Sequence, residues 1–463
     1  MDRPSKAVLR RMPLAEGVLL LWRWTASETR LQCLWERCRG ACYEKCLSFA
    51  TLVRLVADSL LQYGGSGRRS FEKSDEREEL PCSVQAMYKK LSRLPVAVSQ
   101  AFLCECTAAL HEAFPTPSER KLPKSLRRFR PCIVDGKAIK KVAKRLKPLR
   151  GRTAGLLGGR ALVALDWKTG LAVCLEAHPD GYANDVRFMA DLLPVVREQI
   201  AGPRLFVGDR AFCDLQQPAR ITAVEDDHFL VRYHPKVPFQ QDPKRREGRG
   251  KDERGRKFTE QWGWLGSENN ALRCSVRRIV LQRTDKEAIV LVTDLLDEKR
   301  YPAVDLLWLY GERVGIEYLF QQVTEVFGLQ GLISSSPSGC IFQLAFCLLL
   351  YNMIQVARAY VAEGQEQRVE TISAEKLFDD VKRELTAWTI LIDVPTTLQY
   401  FQPEPTLKEV IRRLKKLLGE SWSATWVKAP RQPNRPKSPA KHTRTHSSVF
   451  RILQEAAKTT QPP

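Results

Sequence analysis

Histidine is scarce in this chain, 6 among 463 residues, and no pair has H-x3-H spacing inside a predicted helix. That speaks against a helix-borne imidazole metal centre. A clean apolar run long enough for a bilayer is also missing: the longest, residues 340–357, is interrupted by Gln343 and Asn352. It falls short of the roughly 18–20 residues a span needs, so it predicts a buried helix and no membrane partner. Near the start only residues 17–22 are uncharged and apolar, shorter than a signal-peptide core of about 7–15 residues, so no secretion signal is expected. Neither Gly (26) nor Pro (27) is in excess, and 44% hydrophobic with 27% charged residues is ordinary globular composition. Acidic residues are short: 53 against 74 Lys and Arg, a net charge of +21. Such a surplus points to a polyanion, nucleic acid first and an anionic membrane surface second. The 13 cysteines, an odd count, lack the close C-x2-C knuckle of structural zinc sites and read as reduced thiols in a reducing cytoplasm. Cys33, Cys38, Cys42 and Cys46 are spaced for one helix face, where thiols pack as small apolar groups.

Punctuation divides the rest. Phe49, Leu52, Val53, Val56, Leu60 and Leu61 predict an amphipathic helix over residues 46–63, stopped by Gly64 and Gly65. A charged linker over 68–79 leads to Ser83, which can cap a second helix with Lys89, Lys90 and Arg93 outward. The pair suggests a helix-turn-helix-like module or a plain helical bundle with a solvated basic face. Residues 156–166 and 171–176 read as strands joined by the Lys168-Thr169-Gly170 turn, and 185–200 as a helix. Residues 244–257 read as a loop, 272–281 and 288–293 as strands, and 304–330 as helix. Thr406 and Glu409 form a capping box opening a basic helix that Gly419 closes. A Pro-rich basic tail follows that cannot bury a core and is expected to be disordered.

Between residues 120 and 160 stand fifteen Lys/Arg and a single acid, Asp135. It follows Cys132-Ile133-Val134, a buried strand end, and Asp209 repeats the pattern after Leu205-Phe206-Val207-Gly208. A desolvated carboxylate at such a place is costly unless paired or metal-bound. Tyr310, Arg313 and Glu317, at i, i+3 and i+7, share one helical face. Two carboxylates from strands and one from a helix make the oxygen-rich set that hard divalent cations favour. The plainer alternatives are a turn cap for each Asp and an i, i+4 ion pair of Glu317 with Arg313. Asp166, a rival first acid, precedes a hairpin turn and lacks the matching context.

Ile133-Val134-Asp135-Gly136, Val207-Gly208-Asp209-Arg210-Ala211-Phe212 and Tyr310-x2-Arg313-x3-Glu317 together resemble the DDE transposases of bacterial insertion sequences. The last resembles the Tyr-Arg-Glu-Lys signature of the insertion-sequence-four family. Asp209 lies 74 residues after Asp135 and Glu317 a further 108, room for the β-rich insertion this family places before its last acid. The resemblance covers roughly residues 128–357. It implies an α/β fold with a ribonuclease H-like mixed sheet, and a helical amino-terminal DNA-binding region. The expected layout is that region over 1–119, catalytic core over 120–232 and 295–360, β-rich insertion over 233–294, a helical region over 361–427 and the basic tail over 428–463. The implied activity is metal-dependent cleavage at the ends of an insertion sequence and strand transfer into target DNA, cut-and-paste transposition.

By the same resemblance Asp135, Asp209 and Glu317 are catalytic and bind two Mg²⁺, with Mn²⁺ able to substitute. Tyr310 and Arg313 contact DNA phosphate, although an Arg here can equally brace the carboxylates, and Arg210 beside Asp209 has the same two readings; Trp262 or Trp264 stacks on a flipped base unless it packs in the core or stabilises a hairpin. From its one-signed charge, the basic run that holds Lys137 and Lys140 reads as a DNA-facing surface. The signature Lys falls on Thr324, so its phosphate contact is missing or supplied by another basic residue. The implied partners are double-stranded DNA, as element ends and target, and a second copy of the chain in the synaptic complex, in a cytoplasmic, nucleoid-associated setting. Two alternatives stand beside this: a catalytically inactive DNA-binding protein derived from a transposase, and a ribonuclease H-like nuclease.

Overall fold

Serine side chains set the register of the first helices. The computed structural model describes residues 11–460 apart from 43, 45, 46, 78, 79, 81, 285, 286, 403 and 430–445. Helices α1 (Pro13–Thr25), α2 (Glu28–Cys38), α3 (Phe49–Leu61), α4 (Gly67–Glu76), α5 (Val84–Arg93) and α6 (Val96–Glu112) come first. Ser27, Ser48, Ser66 and Ser83 cap α2 to α5, each hydroxyl accepting from the backbone N–H three residues on. The stretch expected as a charged linker is therefore largely α4, anchored by fully buried Phe71 against Tyr88. The cysteine stripe is also corrected. Helix α2 ends at Cys38, Gly40 turns with φ 56°, and Cys42 lies beyond the helix while Cys33 is exposed. Cys46 lies outside the described residues.

The sheet follows. Its strands are β1 (Arg130–Ala138), β3 (Arg160–Asp166) and β4 (Leu171–His178), with short β2 (Gly155–Leu157) set apart by Gly158 and Gly159, the latter at φ 138°. Then come α7 (Met189–Gln199), β5 (Arg204–Gly208), α8 (Gln216–Ile221) and β6 (Asp227–Arg232). The order β4-β3-β1-β5-β6 joins two antiparallel pairs to two parallel ones. Strands β7 (Phe239–Gln241), β8 (Gly248–Lys251), β9 (Lys257–Leu265), β10 (Cys274–Leu281) and β11 (Ile289–Thr293) do not form a separate sheet. Strand β11 pairs antiparallel with β6, and the same sheet continues through β10, β9 and β7, with β8 on β9. The loop expected over 244–257 thus contains a strand.

Helices α9 (Ala303–Gly311), α10 (Val314–Glu325), α11 (Pro337–Gly364), α12 (Ala374–Leu391), α13 (Val394–Tyr400) and α14 (Leu407–Gly419) complete the layers. By length and composition α11 could cross a membrane, yet it is buried inside the protein. Phe342 and Phe346 of α11 meet Phe102 of α6, and Phe342 also meets Phe49 of α3. The two polar residues that interrupt its apolar run are its docking pins. Asn352 bonds both backbone groups of Ala172 on β4 and the Thr107 hydroxyl, and Gln343 bonds Ile333 N–H and Gly331 carbonyl. The two faces of the sheet feed separate cores. Ile133, Val207 and Val163 join the helical core around α11, while Cys132, Val134 and Phe206 pack under α7.

The capping box at Thr406 and Glu409 forms as expected. The apolar stripe of α14 is spent inside the molecule, with Leu418 pressed onto Gly17 of α1. The expectation of a disordered tail is corrected for residues 446–460, which form β12 (His446–Ser448) and α15 (Val449–Thr460). Strand β12 pairs with β2, Arg451 pairs with Asp180 at 2.7 Å, and Val449 and Ile452 are buried. The remaining tail positions 430–445 and 461–463 lie outside the described residues.

Candidate active site

Strand register brings the first two acids together. In the parallel pair β1/β5, Ile133 lies opposite Val207, and two residues further along each chain stand Asp135 and Asp209. Side chains two apart share a face and neighbouring strands lie about 4.8 Å apart, so both carboxylates leave the sheet at one level toward the α11 side. Asp135 is not at the end of its strand as expected: β1 runs on to Ala138, with Asp135 opposite Val163 of β3. Asp209 lies just past the end of β5 and caps the short turn Arg210–Phe212, its Oδ1 accepting the Ala211 N–H at 2.7 Å. A residue that sequence reasoning missed braces this corner. A Cβ at Gly136 would fall 1.6 Å from Asp185 Oδ2, and Arg160 holds Asp185 at 2.7 Å. Only glycine fits there, and the Val-Asp-Gly triplet carries the one local signal of it.

The third acid arrives on a broken helix. Residues 304–330, expected as a single helix, form α9 and α10 with Glu312 and Arg313 between them. Gly311, a weak helix former, ends α9. Both linking residues keep right-handed helical dihedrals, so Arg313 still reaches Glu317 one turn on. The Arg313 guanidinium spans the site: Nη2 donates to Glu317 Oε1 at 2.6 Å, and Nη1 reaches Asp135 Oδ2 at 3.4 Å. Tyr310 is half-buried beside it, with ring and guanidinium 6.0 Å apart.

Electrostatics tie the set together. Burial pushes the Asp135 carboxyl up to about 6; Arg313 and the Gly136 N–H oppose the rise, and the charges of Asp209 and Glu317 add to it. Burial pulls the Arg313 pKa down, but Tyr310, Asp135, Glu317 and Asp209 outweigh it and hold the guanidinium above its ordinary value. Burial raises the Tyr310 phenol, so it stays a protonated donor. All three acids are therefore within electrostatic reach of one guanidinium.

The remaining expected residues scatter. Arg210 is paired to Glu287 at 3.4 Å, and Arg232 shares that carboxylate at 3.0 Å. Lys137, on the same face of β1 as Asp135, donates to Thr324 Oγ1 on α10 at 2.9 Å. Lys140 is exposed and opens a run of exposed cations through Lys141, Lys144, Arg145, Lys147, Arg150 and Arg152. Trp262 is corrected as a stacking platform. Only 7% exposed, it donates its indole N–H to the Leu296 carbonyl at 2.9 Å, with the Arg245 guanidinium 4.7 Å from its ring centre. Trp264 is half-buried with Arg273 over its ring at 4.7 Å. Asp166, the rival acid, is fully buried and bonded to Arg130 and Thr169, each at 2.7 Å. Burial pushes it up, but His111, Arg130 and Thr169 together bring it down to about 2.

A set of carboxylate oxygens suits a hard divalent cation in its chemistry. In its geometry Arg313 bridges two of these carboxylates, Asp135 and Glu317, and among the described residues no group of three or more His, Cys, Asp or Glu stands close enough to hold a metal. A metal at this place requires Arg313 to leave Asp135 and Glu317 and the three carboxylates to draw closer together.

Residues 129–353 match the family described as the transposase DDE domain, a segment just under half the chain that contains Asp135, Asp209 and Glu317. The match supports a DDE transposase. No curated protein matches the chain in sequence. Among solved structures, the cryo-EM structure of the piggyBac transposase synaptic complex with hairpin DNA aligns over 89% of this chain and 87% of that one, at 10% identity and a TM-score of 0.37.

Proposed function

We propose that this chain, which carries a transposase DDE domain, is a DNA transposase of the insertion-sequence-four type. It cleaves the ends of its own element and joins the freed 3′-hydroxyl to target DNA. The observation that carries the reading is the Arg313 bridge between Asp135 and Glu317, with Asp209 following the strand paired to that of Asp135. The strand order β4-β3-β1-β5-β6, with Asp135 on β1 and Asp209 directly after the adjacent β5, supports the ribonuclease H-type core.

Two Mg²⁺ ions, replaceable by Mn²⁺, are the cofactor the three carboxylates would hold; such ions activate the attacking oxygen and stabilise the leaving one in phosphoryl transfer. Arg313 keeps Asp135 and Glu317 in place before the cofactor arrives, and once displaced it is a bidentate donor for a phosphate. The Tyr310 phenol, protonated, donates to another phosphate oxygen. Exposed cations from Lys140 to Arg152 extend this surface along a DNA backbone, which carries one charge per about 1.7 Å of duplex. Synapsis of two ends calls for a homodimer.

The test uses a DNA fragment spanning the gene and its flanks, incubated with the protein and Mg²⁺ or Mn²⁺. Paired cuts at two flanking positions with 3′-hydroxyl ends, absent in Asp209→Asn, are expected. Binding without any cut would favour the inactive DNA-binding protein, the reading that the seated Arg313 guanidinium favours; cuts without joining would favour a nuclease.

A further inference from the structure

Strand β1 carries a second functional side chain on its Asp135 face. Lys137 stands two residues on, half-buried between β1 and α10. Its ammonium donates to Thr324 Oγ1 at 2.9 Å, reaches the Phe320 carbonyl at 3.4 Å and lies 5.2 Å from the Phe320 ring centre. The Thr324 hydroxyl spends its own hydrogen on the Phe320 carbonyl at 2.6 Å, so its oxygen faces Lys137 as an acceptor. Among the described residues no carboxylate comes within ion-pairing distance of Lys137. An ammonium has three N–H groups and no acceptor, so two neutral oxygens leave one donor unused, and the nearest carboxylates, Asp135 and Glu325, act on it only from a distance. A half-buried cation with an N–H to spare on the face of a candidate active site has a charge-assisted donor to offer an anion.

We propose that Lys137 binds a DNA phosphate beside Asp135, and that Thr324 is the positioning residue that holds it there. This rests on the transposase reading. Position 324 is where the resembled signature carries a lysine; here a lysine from β1 comes to the same part of α10, and Thr324 fixes it instead of supplying the charge.

The experiment measures the affinity of the full chain for a random-sequence duplex over a range of salt concentrations. Each phosphate contact contributes about 0.9 to the slope of log affinity against log salt. Lys137→Gln is expected to lower the slope by about that amount, Lys137→Arg to keep it, and Thr324→Val to weaken binding with Thr324→Ser restoring it. In the exchange Lys137→Thr with Thr324→Lys, the ammonium returns from the helix side and the slope recovers. An unchanged slope in Lys137→Gln overturns the proposal, as does failure of the exchange to recover it in a chain with the parental melting temperature. Should the parental chain show no salt-dependent duplex binding, the transposase reading itself falls, an outcome distinct from a slope insensitive to Lys137.

Discussion

Strand β1 has a carboxylate cluster near each end, and the two are opposites. At its start Arg130 enters the cluster of Asp166, a carboxylate with no exposure that is bonded to Arg130, Thr169 and the Lys168 N–H, with His111 at 3.4 Å. Farther along, Asp135 is 20% exposed, accepts one backbone N–H and shares a single guanidinium with Glu317. The first carboxylate is saturated with donors and pulled down to about 2; the second is short of donors, crowded by like charges and pushed up to about 6. A saturated acid has nothing left to offer a ligand, whereas an under-compensated one gains by meeting a cation. Burial and a nearby arginine are common to both, so neither feature alone separates a structural acid from a functional one.

The largest effect expected from breaking this contrast is on stability at the first cluster. Asp166→Ala removes a fully buried acceptor from Arg130, Thr169 and the Lys168 N–H, although Arg130 keeps Glu119 at 2.9 Å, and is expected to cost about 3 kcal/mol in urea unfolding, as loss of a buried hydrogen-bonded partner does. The pH dependence of stability sharpens the difference, because the two signs are opposite. Asp135 has a raised pKa, so without metal the protein is expected to lose up to about 3 kcal/mol as pH rises from about 4 to 6, at roughly 1.4 kcal/mol per unit. Asp135→Asn should abolish that loss and be more stable than the parent at pH 8. Asp166 has a lowered pKa, so its contribution is present above about 4 and lost as pH falls toward 2. Unfolding curves across pH 2–8 for the parent and Asp135→Asn check both.

Arg313→Ala is expected to reduce DNA cleavage on the order of 100-fold, as loss of one charge-stabilising donor does. Arg313→Lys should recover only part of it, since an ammonium cannot bridge two carboxylates bidentately. The smallest effect lies at Glu287, 70% exposed and shared by Arg210 and Arg232. Glu287→Gln should change stability by under about 1 kcal/mol, as exposed pairs do, while steepening the salt dependence of duplex binding by freeing two cations.

What was readable in the sequence is what local chemistry decides. Short apolar runs ending in Asp marked the strands that bring Asp135 and Asp209 to the site, Asp135 inside β1 and Asp209 just past β5, and Ser83 and Thr406 announced their helices because a cap acts within one turn. Pairings distant in sequence were not readable. Helix α4 hangs on one buried ring, Phe71, too few apolar positions for a periodicity to show. Strands of the expected insertion join the main sheet through the β6–β11 ladder, and residues 446–460 gain order from β2, 291 positions earlier in the chain. The break between α9 and α10 left the spacing of Tyr310, Arg313 and Glu317 usable because Glu312 and Arg313 stay helical in their dihedrals. The burial of Trp262 depends on Leu296 and Arg245, which no spacing reveals.

The central proposal is that Asp135, Asp209 and Glu317 hold a divalent cation once Arg313, which here bridges Asp135 and Glu317, moves aside. Its most direct test is Mn²⁺ binding, followed by electron paramagnetic resonance in the presence of duplex DNA, for the parent, Asp135→Asn, Asp209→Asn, Glu317→Gln and, as a control outside the site, Glu119→Gln. The account predicts tight Mn²⁺ binding in the parent and the control and its loss in each of the other three. Undiminished Mn²⁺ binding in Asp135→Asn would contradict it.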